Sequence, residues 1–262
     1  MLFWQPLSKL GSDWWNDPES GHGLLLGPLA LYLAWRRGIV PHPKPHRPVG
    51  LLLLVGAVLL RYISGLAAEL FTMRASMLGA AAGLAVYAYG PRQLLHWWLP
   101  GALLVLSVPI PAVILNSVAL PLQLHASQVG ASLLEWRDVP VLLAGNVIHL
   151  PGRSMFVTEA CSGLRSLTAL LALGVLIGGL WLRTMWGRGI LLASAIPVAV
   201  GLNGVRVFLT GFLVYYVSPA LGDGFMHYTE GWALFMVSFL LLGGTAWFVS
   251  LAEARRSRRT TA

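Results

Sequence analysis

Long apolar blocks separated by short polar ones set the pattern of this chain. Six apolar runs stand out, roughly 49–68, 75–90, 94–115, 163–182, 189–217 and 231–251. A bilayer core needs about 20 consecutive apolar residues for one helical crossing, so each run predicts a spanning helix. A seventh run, 23–35, is leucine-rich but short, and it contains Pro28. The stretch Pro41–Pro48 carries four prolines in eight residues and predicts a loop. The longest piece between runs, 116–161, divides in two. Leu115, Val118, Leu122, Val129 and Leu133 form a helical stripe with Asn116, Gln123 and Ser127 off it. This predicts a short interfacial helix or a pair of re-entrant turns. Then Val141-Leu142-Leu143, Gly145-Asn146 and Val147-Ile148 predict a β-hairpin with a two-residue turn. The expected fold is an all-α polytopic membrane protein with about seven or eight transmembrane helices. A short outer-face helix and the β-hairpin precede the helix that follows the lone cysteine.

Composition agrees. Of 262 residues, 56% are hydrophobic and 11% charged, against about 25% charged in a soluble domain. Disorder is excluded, since it needs low hydrophobicity and high charge. The whole chain, 1–262, reads as one integral membrane domain with a basic tail at 252–262 and no secretory signal peptide. The net charge of +8 is better explained by basic loops held on the cytoplasmic side than by nucleic acid. With the N-terminus outside and seven crossings, eleven of the 18 basic residues fall inside, four outside, and Arg61, Arg165 and Arg206 within apolar runs. That orientation puts Arg74 outside, the C-terminus in the cytoplasm and every acid except Glu253 at or beyond the outer boundary. The expected location is a membrane whose inner face meets the cytoplasm.

The chemistry gathers around one residue. Cys161 is the only cysteine, and it stands just before a spanning helix at the predicted outer face. A helix N-terminus offers partial positive charge and free N–H groups, which lower a thiol from ~8.5 to about 3.5–7.5 at such sites. Arg165, one turn on, pushes the same way. The plain alternative is an inert buried cysteine with Arg165 snorkelling to the interface. Arg206 lies inside the run 189–217, with Asn203 three residues earlier on the same face. A mid-bilayer charge costs ~2.5–3.5 kcal/mol on insertion scales and usually faces the bundle interior; an internal ion pair is the bland account. His227 stands just before the last helix, on the predicted outer side. His96, beside Trp97 and Trp98, reads as part of an interfacial belt. No metal-ligand spacing and no phosphate-binding loop occurs, so neither a metal nor a cofactor is expected.

Glu159-Ala160-Cys161-Ser162-Gly163-Leu164-Arg165, Asn203-Gly204-Val205-Arg206 and His227 resemble the three signature blocks of the exosortase/archaeosortase family. Trp14-Trp15-Asn16-Asp17-Pro18-Glu19-Ser20-Gly21-His22-Gly23 resembles the family's approach to its first helix, with Gly21 splitting the usual Ser-His-Gly. The likeness covers about residues 12–250, and His227 matches the bacterial exosortase branch, where archaeal relatives carry Arg.

The resemblance implies a membrane-embedded cysteine protease or transpeptidase, associated with extracellular polysaccharide. Its expected partners are the bilayer and membrane-anchored proteins with a C-terminal Pro-Glu-Pro-type sorting signal. Cys161 would form an acyl-thioester, with Arg206 and His227 sharing proton delivery and oxyanion stabilisation. Family analogy makes Arg206 the proton donor; the reverse suits an always-charged guanidinium and a group titrating near ~6.5. Arg165, Glu159, Ser162, Asn203 and His22 would contact or orient substrate. The competing expectation is a transporter lined by Arg61, Arg165 and Arg206, or a non-catalytic scaffold of a polysaccharide export system.

Overall fold

A computed structural model of the chain describes residues 2–17, 20–157, 164–218 and 225–260, without the side chains of 112, 115, 164–166, 225–232 and 257–260. It divides into two compact units, Met1–Pro111 and Ala112–Ala262.

The first unit is helical throughout: α1 (Trp4–Asn16), α2 (Gly23–Arg37), α3 (Arg47–Leu66), α4 (Leu70–Tyr89), α5 (Pro91–His96) and α6 (Trp98–Leu106). α3 and α4 form an antiparallel hairpin. Glu69 caps α4, its carboxylate accepting from the N–H groups of Phe71 and Thr72, and Gly90 ends that helix at φ +88°. The pair is close-packed: a Cβ on Gly50 would lie 2.5 Å from the Tyr87 backbone. In lipid, such close approach supplies the association that the hydrophobic effect supplies in water.

The second unit holds α7 (Ala112–Trp136), three short strands, α8 (Leu164–Trp181), α9 (Met185–Tyr216) and α10 (Phe225–Thr260). Strands β1 (Leu142–Ala144), β2 (Val147–Leu150) and β3 (Arg153–Phe156) form an antiparallel meander in the order β1-β2-β3. Gly145 and Asn146 join β1 to β2, with Ala144 opposite Val147. Ile148 and Leu150 point from β2 into a core shared with Ala126 and Leu134 of α7 and Val207 and Val214 of α9. A second core joins Leu170 of α8, Leu191 and Ala195 of α9, and Leu242 of α10. Glu253, the one acid expected inside, accepts from the N–H groups of Arg183 and Thr184 and so holds the start of α9.

Among the described residues, four helices are long and apolar enough to cross a membrane, rather than seven or eight: α3, α4, α9 and Ala233–Arg256 within α10. In α8 the apolar stretch is the shorter Leu167–Trp181. The run 94–115 is not one helix but α5, α6 and the start of α7. Pro100 offers no N–H to His96 O, and the Arg37 guanidinium donates to that carbonyl instead, at 2.8 Å. Pro109 and Pro111 then bar any continuation of α6. The expected short outer helix is a 25-residue helix packed along α9, and the expected hairpin carries a third strand. α1 has no counterpart among the apolar runs, because only part of it faces the unit.

Candidate active site

α9 carries the described part of the candidate site. Asn203 is buried and Arg206 half-buried, one turn apart on this helix. Their position depends on Gly204 between them. A Cβ on Gly204 would lie 2.4 Å from Val129 Cγ1, and one on Gly130 would lie 2.4 Å from Val207 Cγ1. The two helices therefore interlock, each glycine receiving the other's valine, and Gly211 takes Leu134 further along. α7 fixes one side of α9 in this way. The other side meets α10, where Asn203 and Arg206 join Ala199, Leu202, Leu234, Phe235 and Ser238 around a cavity of about 20 Å³. A space of that size suits one water when polar groups line it. Ser238 Oγ donates to Leu234 O at 2.9 Å, and Thr210 Oγ1 donates to Arg206 O at 3.0 Å.

Cys161, Glu159 and Ser162 lie outside the described residues, and so do the side chains of Arg165 and His227. α8 begins at Leu164, three residues after Cys161, and α10 begins at Phe225, two before His227. α8, α9 and α10 pack on one another within the second unit. Val157, the last described residue before Cys161, is fully buried in the sheet core.

His22 belongs to the first unit, where it has a structural task. Its Nε2 donates to Leu106 O at 3.2 Å, while Trp14 Nε1 donates to Ser107 O at 2.7 Å. Both carbonyls end α6, and Ser107 O would otherwise look to Pro111, which has no N–H. The Trp14 indole lies on Gly23 and Gly27, where a Cβ would come within 2.1 and 2.7 Å of it. Ser20 is buried and donates to Asp17 Oδ2 at 2.6 Å. The Trp…His-Gly segment thus closes the end of α6. His96 is likewise more than an interfacial group: its Nε2 donates to Arg37 O at 3.0 Å, and Trp97 Nε1 donates to Gly38 O at 3.0 Å, capping α2.

A family model described as transmembrane exosortase matches residues 14–244, which takes in the Trp14, Cys161, Arg206 and His227 blocks together. The chain belongs to the transmembrane exosortase family. No curated protein and no solved structure matches this exosortase.

Two of its arginines have structural partners that sequence patterning did not show. Arg74 is 3% exposed on α4 and forms an ion pair with Asp13 of α1. Its Nε is buried with no acceptor among the described residues. Arg61, a candidate path-lining group, donates to Leu2 O and Gln5 Oε1 and ties α1 to α3. Their partners lie 56 to 61 residues away in sequence, beyond any periodic signal. Ser238 and Gln123 were equally hidden, one inside an apolar run and one on a polar helix face. Among the described residues no cluster of three metal-ligating side chains occurs.

Proposed function

We propose that this exosortase is a membrane-embedded cysteine protease or transpeptidase acting on membrane-anchored proteins with a C-terminal sorting signal. The strongest support is Arg206: a cation on a membrane-length helix, half-buried and lining a cavity with Asn203 and Ser238. A charge costs several kcal/mol there unless it faces a polar interior. Its family block pairs it with Cys161 and His227.

The Cys161 thiolate attacks the scissile carbonyl, forming a C–S bond and a tetrahedral oxyanion. Collapse breaks the C–N bond, and the leaving amine takes a proton. An acyl-thioester remains on Sγ. Water or an amine acceptor then attacks it, expelling the Cys161 thiolate. Arg206 stabilises the oxyanion, since a guanidinium stays charged throughout. His227 carries the proton, since imidazole exchanges one near neutral pH. Asn203, Arg165, Glu159 and Ser162 contact or orient the peptide. A substrate anchored in the bilayer of a bacterial inner membrane presents its signal at the outer face, next to the Cys161 helix start.

The test is Cys161→Ala in membranes containing a candidate substrate. Release of the substrate's C-terminal tail should stop while the variant remains inserted and folded. Normal processing by Cys161→Ala rules out the nucleophile, and with it the protease.

A further inference from the structure

Asn146 grips Val157 from two sides. Val157 N–H donates to Asn146 O at 2.9 Å, and Asn146 Nδ2 donates to Val157 O at 3.2 Å. A carbonyl only accepts, so the amide nitrogen faces it. The same nitrogen lies 3.4 Å from Gln123 Oε1 on α7, a side chain only 7% exposed. The β1–β2 turn does not require this arrangement. Gly145, at φ +64°, supplies the left-handed residue of a II′ turn, and the position after it accepts many residues. The Asn146 side chain therefore serves Val157, not the turn.

Val157 stands four residues before Cys161. A chain covers at most ~3.3–3.6 Å per residue, so fixing Val157 confines the Cys161 backbone to within about 14 Å of it. The core beneath Val157 joins Ile148 of β2 and Leu134 of α7 to Val207 of α9, the helix that carries Arg206.

We propose that Asn146 is a positioning residue for Cys161, holding the start of the nucleophile segment to the sheet, with Gln123 orienting its amide. This rests on the nucleophile reading above. Among the described residues the Asn146 side chain reaches Val157 and Gln123, so it acts on the cysteine through the chain that leads to it.

Cys161 is the only cysteine, so a neutral maleimide reports on it alone in the full-length, membrane-inserted protein. Losing one net hydrogen bond shifts a local opening equilibrium by about five- to tenfold. Asn146→Ala and Asn146→Asp should therefore be alkylated about five- to tenfold faster than wild type, with the thermal midpoint lowered by no more than the roughly 2–4 °C that one such bond is worth. Asp keeps the size and the backbone bond but offers no N–H to Val157 O. Turnover of a membrane-anchored signal peptide should move the other way, kcat falling at constant KM. Gln123→Ala keeps both Val157 bonds and should give a smaller shift in the same direction. Ser154→Ala removes the His149 contact in the same sheet without touching Val157 and should match wild type. Wild-type alkylation by both Asn146 variants overturns the proposal. So does faster alkylation that follows a larger fall in thermal midpoint and is shared by Ser154→Ala, because that is general loosening. Alkylation needs no turnover. If Cys161→Ala still processes substrate, the protease reading fails; if only the Asn146 variants behave as wild type, positioning alone fails.

Discussion

Val129 of α7 occupies the space that a side chain on Gly204 of α9 would need, its Cγ1 lying 2.4 Å from the ideal Cβ position. Val207 stands to Gly130 in the same way. The glycine of the Asn-Gly-Val-Arg block is therefore a packing residue, and its two neighbours in the block, Asn203 and Arg206, take their position from it.

Gly204→Ala should force α7 and α9 apart. Overpacking of this kind costs about 1–3 kcal/mol, read as a lower thermal midpoint in detergent or nanodiscs. Processing should fall with it, because Arg206 moves with the helix. Adding Val129→Ala should restore much of both. If the double variant is no better than Gly204→Ala alone, the valine is not what the glycine accommodates.

Much of this was legible in the sequence, and the rest was hidden for physical reasons. The runs that became α3, α4, α9 and α10 were plain, since a helix in lipid must be apolar on most of its surface. The run 94–115 misled because apolarity alone does not sense a break. The break comes from missing N–H groups at Pro100, Pro109 and Pro111, and from Arg37, 59 residues away, filling the gap at His96. α1 escaped because an amphipathic helix at the chain start has no long run to announce it. Arg206 and Asn203 were visible as polar residues in an apolar block. The burial of Arg74 was not, because its partner Asp13 is local only in space.

The Arg74–Asp13 pair predicts an asymmetry. Asp13→Ala leaves a guanidinium buried on α4 with its charge uncompensated. The full cost of breaking a buried pair is about 3–5 kcal/mol. The Asp13 end is 35% exposed, so screening lowers the expected cost to about 1–3 kcal/mol. Arg74→Met removes the charge as well and should cost less than Asp13→Ala, as thermal midpoints of the two variants will tell. Equal losses mean that α1 is held by its apolar contacts alone.

Glu69 gives a pH dependence whose sign is fixed. Hydrogen bonds from the Thr72 hydroxyl and N–H, and then from Phe71 N–H, hold its carboxyl below the ordinary carboxylate range. A lowered acid stabilises the fold above its unfolded value, and that contribution is lost as pH falls through the folded value. Glu69→Ala should therefore cost about 0.5–2 kcal/mol at neutral pH. The gap to wild type should close as the buffer drops below the ordinary carboxylate range. A gap that stays constant with pH means that the ionised cap is not the source.

His22→Gln separates a helix-closing contact from a chemical role. Glutamine places an N–H donor where His22 Nε2 now meets Leu106 O, but it has no acid–base chemistry. Near-normal stability and processing are expected. A fall in kcat of tenfold or more at an unchanged thermal midpoint would show that the imidazole does chemistry beyond closing α6.

Arg206 and Ser238 face the same small cavity, and they predict opposite sensitivities. Ser238 already gives its hydroxyl proton to Leu234 O, one turn back on α10, so Ser238→Ala should leave processing within about threefold of wild type, the loss of a weak or water-shared contact. An oxyanion stabiliser is different, because its bond strengthens as charge builds in the transition state. Removing such a donor costs about 10²–10³ in kcat. Arg206→Gln should show a loss of that size with KM little changed, since the interaction is made in the transition state and not with the ground-state carbonyl. Arg206→Lys keeps the charge but not the planar fork of donors, and its rate should fall between the two. A Ser238→Ala defect as deep as that of Arg206→Gln would make the cavity a packing feature of α9 and α10, with no special place for the guanidinium.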